Sequence, residues 1–582
     1  MLSEKSGVMG MRSDSDVTNN FRIKGTLTWE KLLEYLPVMI FTNLSTLLLL
    51  SVDGIVVGNF VSSEALASVN ILVPVINFIG VISILIASGS SVCLSKSIGK
   101  NDTENLDHFK HTMLLLMIVS SVFVAVVQLP LFTILIKSYH LSGEMNKLTW
   151  QYAIGMMVAM PIGLISSMGT YQLQVVGRMK VLMWLTVIEG VVNLALDLLF
   201  IVPLKMGVAG AGFGTAGANL VRCTITVLYL ARKTDIYKYK GAKVRSKDVK
   251  DILVNGVPEF SHQAMSAFQD YFFVMIILSM FGESGGVIKG ACVLAANIAT
   301  VFISGVQSSM RSLIGIKSGS QDKAGLNLLM LQGLKIVIGL TLVVTAVMEV
   351  IPSVMYSIQG VKSIPHGGLA SLRIRSLAFV FTGLCTVLRL YLSNRGDTRV
   401  VTTLVIVGNA ALPAFAFLFS RFLPAPWIWL SYAVTHFLIA LFSFLRYRRW
   451  VGKDKLELYD AHVLYLSVEP KEAVEASREI RNYAFENGID EKTAWRVALC
   501  MEEMAAYAVE SQDKKEVLIQ IMVRFQDDGA VFSMMDNGRC IALDKDVEKK
   551  ERMIDNYSLL KKLCKTCEYQ YILGMNFTVF TF

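Results

Sequence analysis

Charge is scarce in this chain. Asp, Glu, Lys and Arg make up only 17% of its 582 residues, whereas 53% are hydrophobic. The mean hydropathy of +0.53 lies far above that of soluble domains. Most of the charge falls in the first thirty residues, in short loops and after Arg446. A single soluble globule is therefore excluded, and a polytopic membrane protein is implied. Cysteine is sparse as well: there are 8, scattered, with one close pair at Cys564 and Cys567. With no second pair and no nearby His, that CxxC reads as ordinary buried thiols in a reducing compartment, and no metal site is assigned. Residues 1–28 lack an apolar core and are rich in Ser, Asp and Asn. No cleavable signal peptide is expected there, and the segment is read as a disordered cytoplasmic tail. The net charge of +9 requires no nucleic-acid partner, because membrane proteins concentrate Lys and Arg in cytoplasmic loops.

What the chain has instead is long apolar runs. A spanning helix needs about 20 apolar residues. The runs near 32–56, 65–95, 111–136, 149–174, 180–203, 208–231, 252–281, 287–315, 332–357, 369–394, 400–422 and 426–446 each suffice. Basic residues follow the even-numbered runs: Arg232 to Lys250 after the sixth, and Arg446 to Lys455 after the twelfth. Both termini are thus placed in the cytoplasm. Lys362, Arg373 and Arg375, read as the loop before the tenth run, fall against this pattern on the outside.

Two acids stand out within these runs, Asp53 and Asp197. A carboxylate at membrane depth costs roughly 2.5–3.5 kcal/mol even on lenient insertion scales, so it persists mainly where it faces a cavity or pathway. Glu189, Asn193 and Asp197 recur every four residues and share one helical stripe. One polar stripe in an apolar helix reads as the lining of an ion or proton site. The two halves also echo each other. LSKSIGKNDTENL (94–106) aligns with IGIKSGSQDKAGL (314–326), placing Gly99 on Gly319 and Asp102 on Asp322. An even number of spans per repeat gives two six-helix lobes in parallel orientation, a transporter architecture. In the second half Asn409 and Pro413 stand where Asn193 and Asp197 stand in the first, so coupling is assigned to the first lobe alone. Glu259 is read as lying at the membrane edge.

At this point a family resemblance emerges. SVDGIVVGNFVSSEALASVN, SKSIGKND, VVGRMKVLMWLTVIEGVVNLALDLLF and GVAGAGFGTAGAN resemble signatures of the multidrug and toxic compound extrusion (MATE) transporters, over residues 30 to 446. The resemblance implies twelve helices in two lobes (29–231 and 252–448, joined by a cytoplasmic linker at 232–251). It also implies export of organic, cationic amphipathic compounds across the cytoplasmic membrane, driven by H⁺ or Na⁺. By position, the family's cation site falls on Asp53, Asn193, Asp197 and Thr215. Glu189 is an additional acid and a candidate third titrating group. Gly210, Gly212, Gly214 and Gly217 read as close-packing positions.

From 458 to 582 the composition becomes that of a small α/β domain. Two amphipathic helices, a hairpin around Asp527-Asp528-Gly529, a short helix near 556–566 and two final strands are expected. This layout resembles the GHKL ATPase fold. Glu503 matches that family's catalytic Glu, and Asp536-Asn537-Gly538 matches its adenine-reading turn. Tyr507 replaces the Mg²⁺-holding Asn, and DNYSLLKKL (555–563) lacks the glycines of the phosphate loop. The resemblance therefore implies a degenerate regulatory domain with no cofactor, doubtful for ATP and Mg²⁺, that docks a cytosolic regulatory protein. The chain as a whole is expected to be an all-α membrane transporter with small organic substrates, lipid contacts and a cytosolic α/β sandwich, and not an enzyme. Two alternatives stay open: a flippase for lipid-linked precursors, which Arg389 inside the tenth run would suit, and a membrane-anchored signalling kinase.

Overall fold

The computed structural model describes residues 21–23, 27–138, 143–233, 243–282, 284–359, 361, 363–460, 463–510, 517–526, 529–538, 560 and 562–582. The basic stretch 234–242, Lys362, the hairpin residues Asp527 and Asp528, and most of DNYSLLKKL fall outside them. The chain forms two compact units: Leu32–Arg448, and a second built from both ends, Met1–Lys31 with Arg449–Phe582.

The larger unit is helical throughout. Its helices are α1 (Leu27–Phe60), α2 (Ser63–Gly99), α3 (Thr103–Ser138), α4 (Gly143–Val175), α5 (Met179–Ile201) and α6 (Val208–Lys233). The second half adds α7 (Ser246–Phe281), α8 (Ser284–Gly319), α9 (Lys323–Val350), the short α10 (Ser353–Ile358), α11 (Gly368–Ser376), α12 (Ala378–Asn394), α13 (Thr398–Phe422) and α14 (Leu430–Asp460). Among the described residues, ten segments are long and apolar enough to cross a membrane, with α11 and α12 together making one of them, Gly368–Asn394. The other two of the twelve expected, α1 and α6, are helices of 34 and 26 residues that are not among those ten. In α6 the glycine- and alanine-rich start lowers the hydropathy.

Large apolar side chains face outward along these helices, as Val126 (69% exposed) and Val122 (60%) do on α3. A soluble protein does not tolerate apolar surface on that scale, and a lipid-facing one requires it. Each half has its own core. Phe132, Tyr152 and Met156 pack at the centre of the first, and Phe273, Tyr356, Phe379 and Trp429 at the centre of the second.

Backbone groups freed inside the bilayer find partners on neighbouring helices. Pro161 lies inside α4 and cannot donate to the carbonyl of Met157, four residues earlier. The Gln128 side-chain amide of α3 donates to that carbonyl at 2.7 Å. The repeat is visible in local geometry. Asn101 and Gln321 both adopt left-handed backbone, with φ of 56° and 59°. Asp102 accepts from the Asn105 N–H at 3.0 Å and Asp322 from the Gly325 N–H at 2.7 Å, each capping the next helix of its half.

The second unit is a six-stranded sheet in the order β1-β2-β3-β4-β6-β5, with two helices on one face. The strands are β1 (Phe21–Ile23), β2 (Val463–Val468), β3 (Ile519–Gln526), β4 (Gly529–Asp536), β5 (Thr566–Ile572) and β6 (Met575–Thr581). Helices α15 (Ala473–Glu486) and α16 (Glu491–Glu510) place Ile480, Ala484, Val497 and Met501 against Leu466, Ile521, Val523 and Phe532. The β5–β6 hairpin turns through Leu573 and Gly574, with φ of 58° and 71°, the mirror-image turn that matches strand twist. Two elements depart from expectation. Strand β2, VLYLSV, is apolar except for Ser467, with every residue buried. Residues 21–23 are not part of a disordered tail: they pair in parallel with Tyr465–Ser467, where the backbone of β2 offers an open edge.

Candidate functional site

The buried face of α5 carries Glu189, Asn193 and Asp197. Asp197 is fully buried. The Asn193 amide nitrogen lies 3.4 Å from Asp197 Oδ1 and 3.5 Å from Thr215 Oγ1 of α6, and the Thr215 hydroxyl donates to the Ala211 carbonyl at 3.1 Å. A carboxylate, an amide and a hydroxyl thus converge between α5 and α6. Gly214 makes that convergence possible. A Cβ there would sit 2.0 Å from Asp197 Oδ1, so any side chain would displace the carboxylate. By contrast, Gly155 of α4 and Gly212 of α6 only pack backbone on backbone, 2.7 Å from an added Cβ to the facing Cα. Asp53 lies in α1; its side chain is outside the described residues.

Glu189 is engaged away from this cluster. Its carboxylate forms an ion pair with Arg222 of α6, and that guanidinium also donates to Thr170 of α4. The arginine lies in NLVRCTITVLYL, a base within an apolar stretch of α6.

The second half carries cations where the first carries acids. A cavity of about 200 Å³ opens among α7, α11, α12, α13 and α14, lined by Arg375, Arg389, His262, His436, Tyr432 and Asn409. Arg375 is not a loop residue but part of α11. It lies within the Gly368–Asn394 segment, with its guanidinium 4.0 Å from the centre of the Tyr432 ring and 5.3 Å from that of Phe379. The Glu259 carboxylate lies 3.9 Å from Arg389. Asn409, the counterpart of Asn193, donates to the Val405 carbonyl at 2.8 Å.

In the smaller unit, the turn matched to adenine recognition is hydrogen-bonded to its own neighbours. Asp536 Oδ1 accepts from the Asn576 amide at 2.6 Å and from the Gly538 N–H at 2.8 Å. The Asn537 side chain accepts from the Leu518 N–H at 3.0 Å. Burial pushes the Asp536 acid up to about 6, against the two hydrogen bonds that favour its anion. Glu503 sits half-buried on α16; Tyr507 lies in the same helix, with its side chain outside the described residues. Cys500, Cys564 and Cys567 pack in or against this unit's core, and burial pushes the Cys500 and Cys564 thiols up.

The MatE family model matches residues 39–199. A crystal structure of a MATE protein in complex with MaL6 superposes with a TM-score of 0.69 at 21% identity, covering 74% of this chain and 97% of that one. A MOP superfamily transporter from Pyrococcus furiosus, with a binding pocket described as reversed in polarity, gives 0.69 at 22% identity, covering 74% and 100%. An outward-facing multidrug resistance transporter of the MATE family gives the same values. No curated protein matches the chain in sequence. The helical unit therefore has the transporter fold of the MATE proteins. Residues 39–199, which hold the α5 stripe, also match that family by sequence.

Proposed function

We propose that this protein is a cation-coupled exporter of organic compounds in the cytoplasmic membrane, with twelve spans and both termini in the cytosol. The observation that carries the reading is Asp197, fully buried in an apolar helix beside Asn193 and Thr215, in space cleared by Gly214. A carboxylate so placed must take up a proton or bind a cation. Na⁺ or H⁺ entering from outside neutralises the Asp197 cluster, with Asp53 of α1 as the second carboxylate. Neutralisation changes how α5 and α6 pack. By reciprocity, a substrate that prefers the other packing drives the cation off. Multidrug export is the description of one structural neighbour and supports this reading by fold alone.

Pairing of β1 with β2 supports the topology. One strand precedes the first membrane helix and the other follows the last, and a sheet cannot straddle a bilayer, so the number of crossings is even. Labelling of single cysteines in intact cells tests the side: a cysteine at Ser62 should react from outside and one at Trp450 should not.

Within the small unit, Asn576 holds the carboxylate that would read adenine, which supports a regulatory or docking role over a signalling kinase. The coupling reading is tested by titrating Na⁺, and separately protons, into the purified protein. Uptake at a single site should disappear in Asp197→Asn.

A further inference from the structure

We propose that the cavity in the second lobe binds an anionic group, a carboxylate or phosphate, of the transported molecule. This names a substrate class for the exporter proposed above and rests on that reading. It departs from the cationic substrate that the family resemblance alone implies.

The charge balance carries the argument. Arg375 and Arg389 both line the cavity. Arg389 also reaches a small adjoining cleft, shared with Glu259 and Arg311. Glu259, 3.9 Å from Arg389, is the one carboxylate that lines either space among the described residues. Of the acids on neighbouring helices, Asp270 is within electrostatic reach of Arg375 but is shared with Lys289 at 3.6 Å, and Glu349 accepts from Ser376 at 2.9 Å and lies 4.0 Å from Arg373. Three guanidinium groups and Lys289 therefore face two carboxylates, Glu259 and Asp270, inside a membrane bundle.

Arg375 Nη1, Arg389 Nε and Arg311 Nε are buried without a hydrogen-bond partner among the described residues. The aromatic rings of Tyr432 and Phe379 hold the Arg375 plane but accept none of its hydrogen bonds in the plane. A buried charge without a counterion is costly, and a planar fork with open N–H groups fits carboxylate or phosphate oxygens. His262, Gln269 and Asn409 add polar edges to the rim, and Val401, Leu404 and Ile439 add apolar wall. About 200 Å³ suits an anionic group with a small ring or short chain rather than a whole drug-sized molecule. The lobes are thereby complementary: the first offers acids to a cation, the second offers guanidinium groups to an anion.

The test uses the full-length protein in detergent and three probes of similar shape: benzoate, phenyl phosphate and benzylamine. Calorimetry on the wild type should show binding of at least one of the two anions and none of benzylamine. Arg375→Gln should weaken anion binding at least tenfold and Arg375→Lys much less. Lysophosphatidic acid competing against phenyl phosphate separates a lipid headgroup from a free anion. Displacement by submicellar lipid marks a lipid source, and its absence a soluble one; both are anion binding at this site. Benzylamine binding as tightly as benzoate, or anion binding unaffected by Arg375→Gln, overturns the proposal. Because the wild-type preference needs no variant, a misfolded Arg375→Gln does not shield it. Anion binding without export would leave this site standing and remove the exporter reading instead.

Discussion

Gly99 and Gly319, equivalent positions of the two repeats, lie against each other. A Cβ on Gly319 would sit 3.0 Å from the Gly99 Cα and 2.2 Å from the Lys96 carbonyl oxygen, and one on Gly99 would sit 2.1 Å from the Ile316 carbonyl oxygen. Helices α2 and α8 therefore meet backbone to backbone at their ends, one from each half. A second close approach lies along the same seam, where a Cβ on Gly89 of α2 would sit 1.9 Å from the Ile252 carbonyl of α7.

Valine at position 99 or at 319 should hold these helices apart. Each substitution should cost about 1–3 kcal/mol in stability and lower transport more than tenfold. The double variant should cost little more than either single one, because both disrupt one contact. Thermal unfolding and flux on the same preparations measure this; additive losses would show that the glycines act independently.

Gly214→Ala should impair coupling as Asp197→Asn does, without touching a titratable group, since the added methyl enters the space of Asp197 Oδ1. The variant should insert and fold, and its cation uptake should fall at least tenfold. Uptake equal to wild type would mean that Asp197 can bind its cation from a different position.

Glu189 and Arg222 should behave as a structural pair. Glu189→Gln leaves the guanidinium without its counter-charge and should destabilise the protein by about 3–5 kcal/mol. Adding Arg222→Gln should restore most of that loss. Unfolding in denaturing detergent compares the three variants, and no recovery in the double variant would separate the two residues.

Raising the pH should weaken the small unit. The Asp536 acid, ordinarily near 3.8, stands at about 6 when folded, so ionising it costs more in the folded state than in the unfolded chain. Stability is highest below about pH 4 and falls by about 3 kcal/mol as pH rises through 6. Opening free energies of β3 and β4 in the intact protein, from hydrogen exchange divided by the intrinsic base-catalysed rate at each pH, should fall over that window, and Asp536→Asn should abolish the fall. Opening free energies that stay flat in the wild type would contradict it.

The parts legible in the sequence are those with local periodicity. Glu189, Asn193 and Asp197 recur at helical spacing, and the 94–106 and 314–326 segments align at Gly99 with Gly319 and at Asp102 with Asp322, so both the polar stripe and the duplication could be read. What escaped depended on contacts between distant segments. Nothing near Glu189 announces Arg222, 33 residues away. Arg375 looked like a loop charge because hydropathy cannot reveal a guanidinium laid on an aromatic ring contributed by α14. Gly214 resembled its neighbouring packing glycines, although it alone clears space for a carboxylate. Strand β1 is three residues in a polar tail, too short for any alternation to register.

Substrate-dependent cation flux in proteoliposomes, with H⁺ and Na⁺ gradients imposed separately, tests coupling through Asp197 most directly. One of the two gradients should drive uptake of an organic substrate against its own gradient in the wild type. The same gradient should drive none in Asp197→Asn, while downhill exchange of the substrate persists. Gradient-driven accumulation by Asp197→Asn at the wild-type rate would contradict the account.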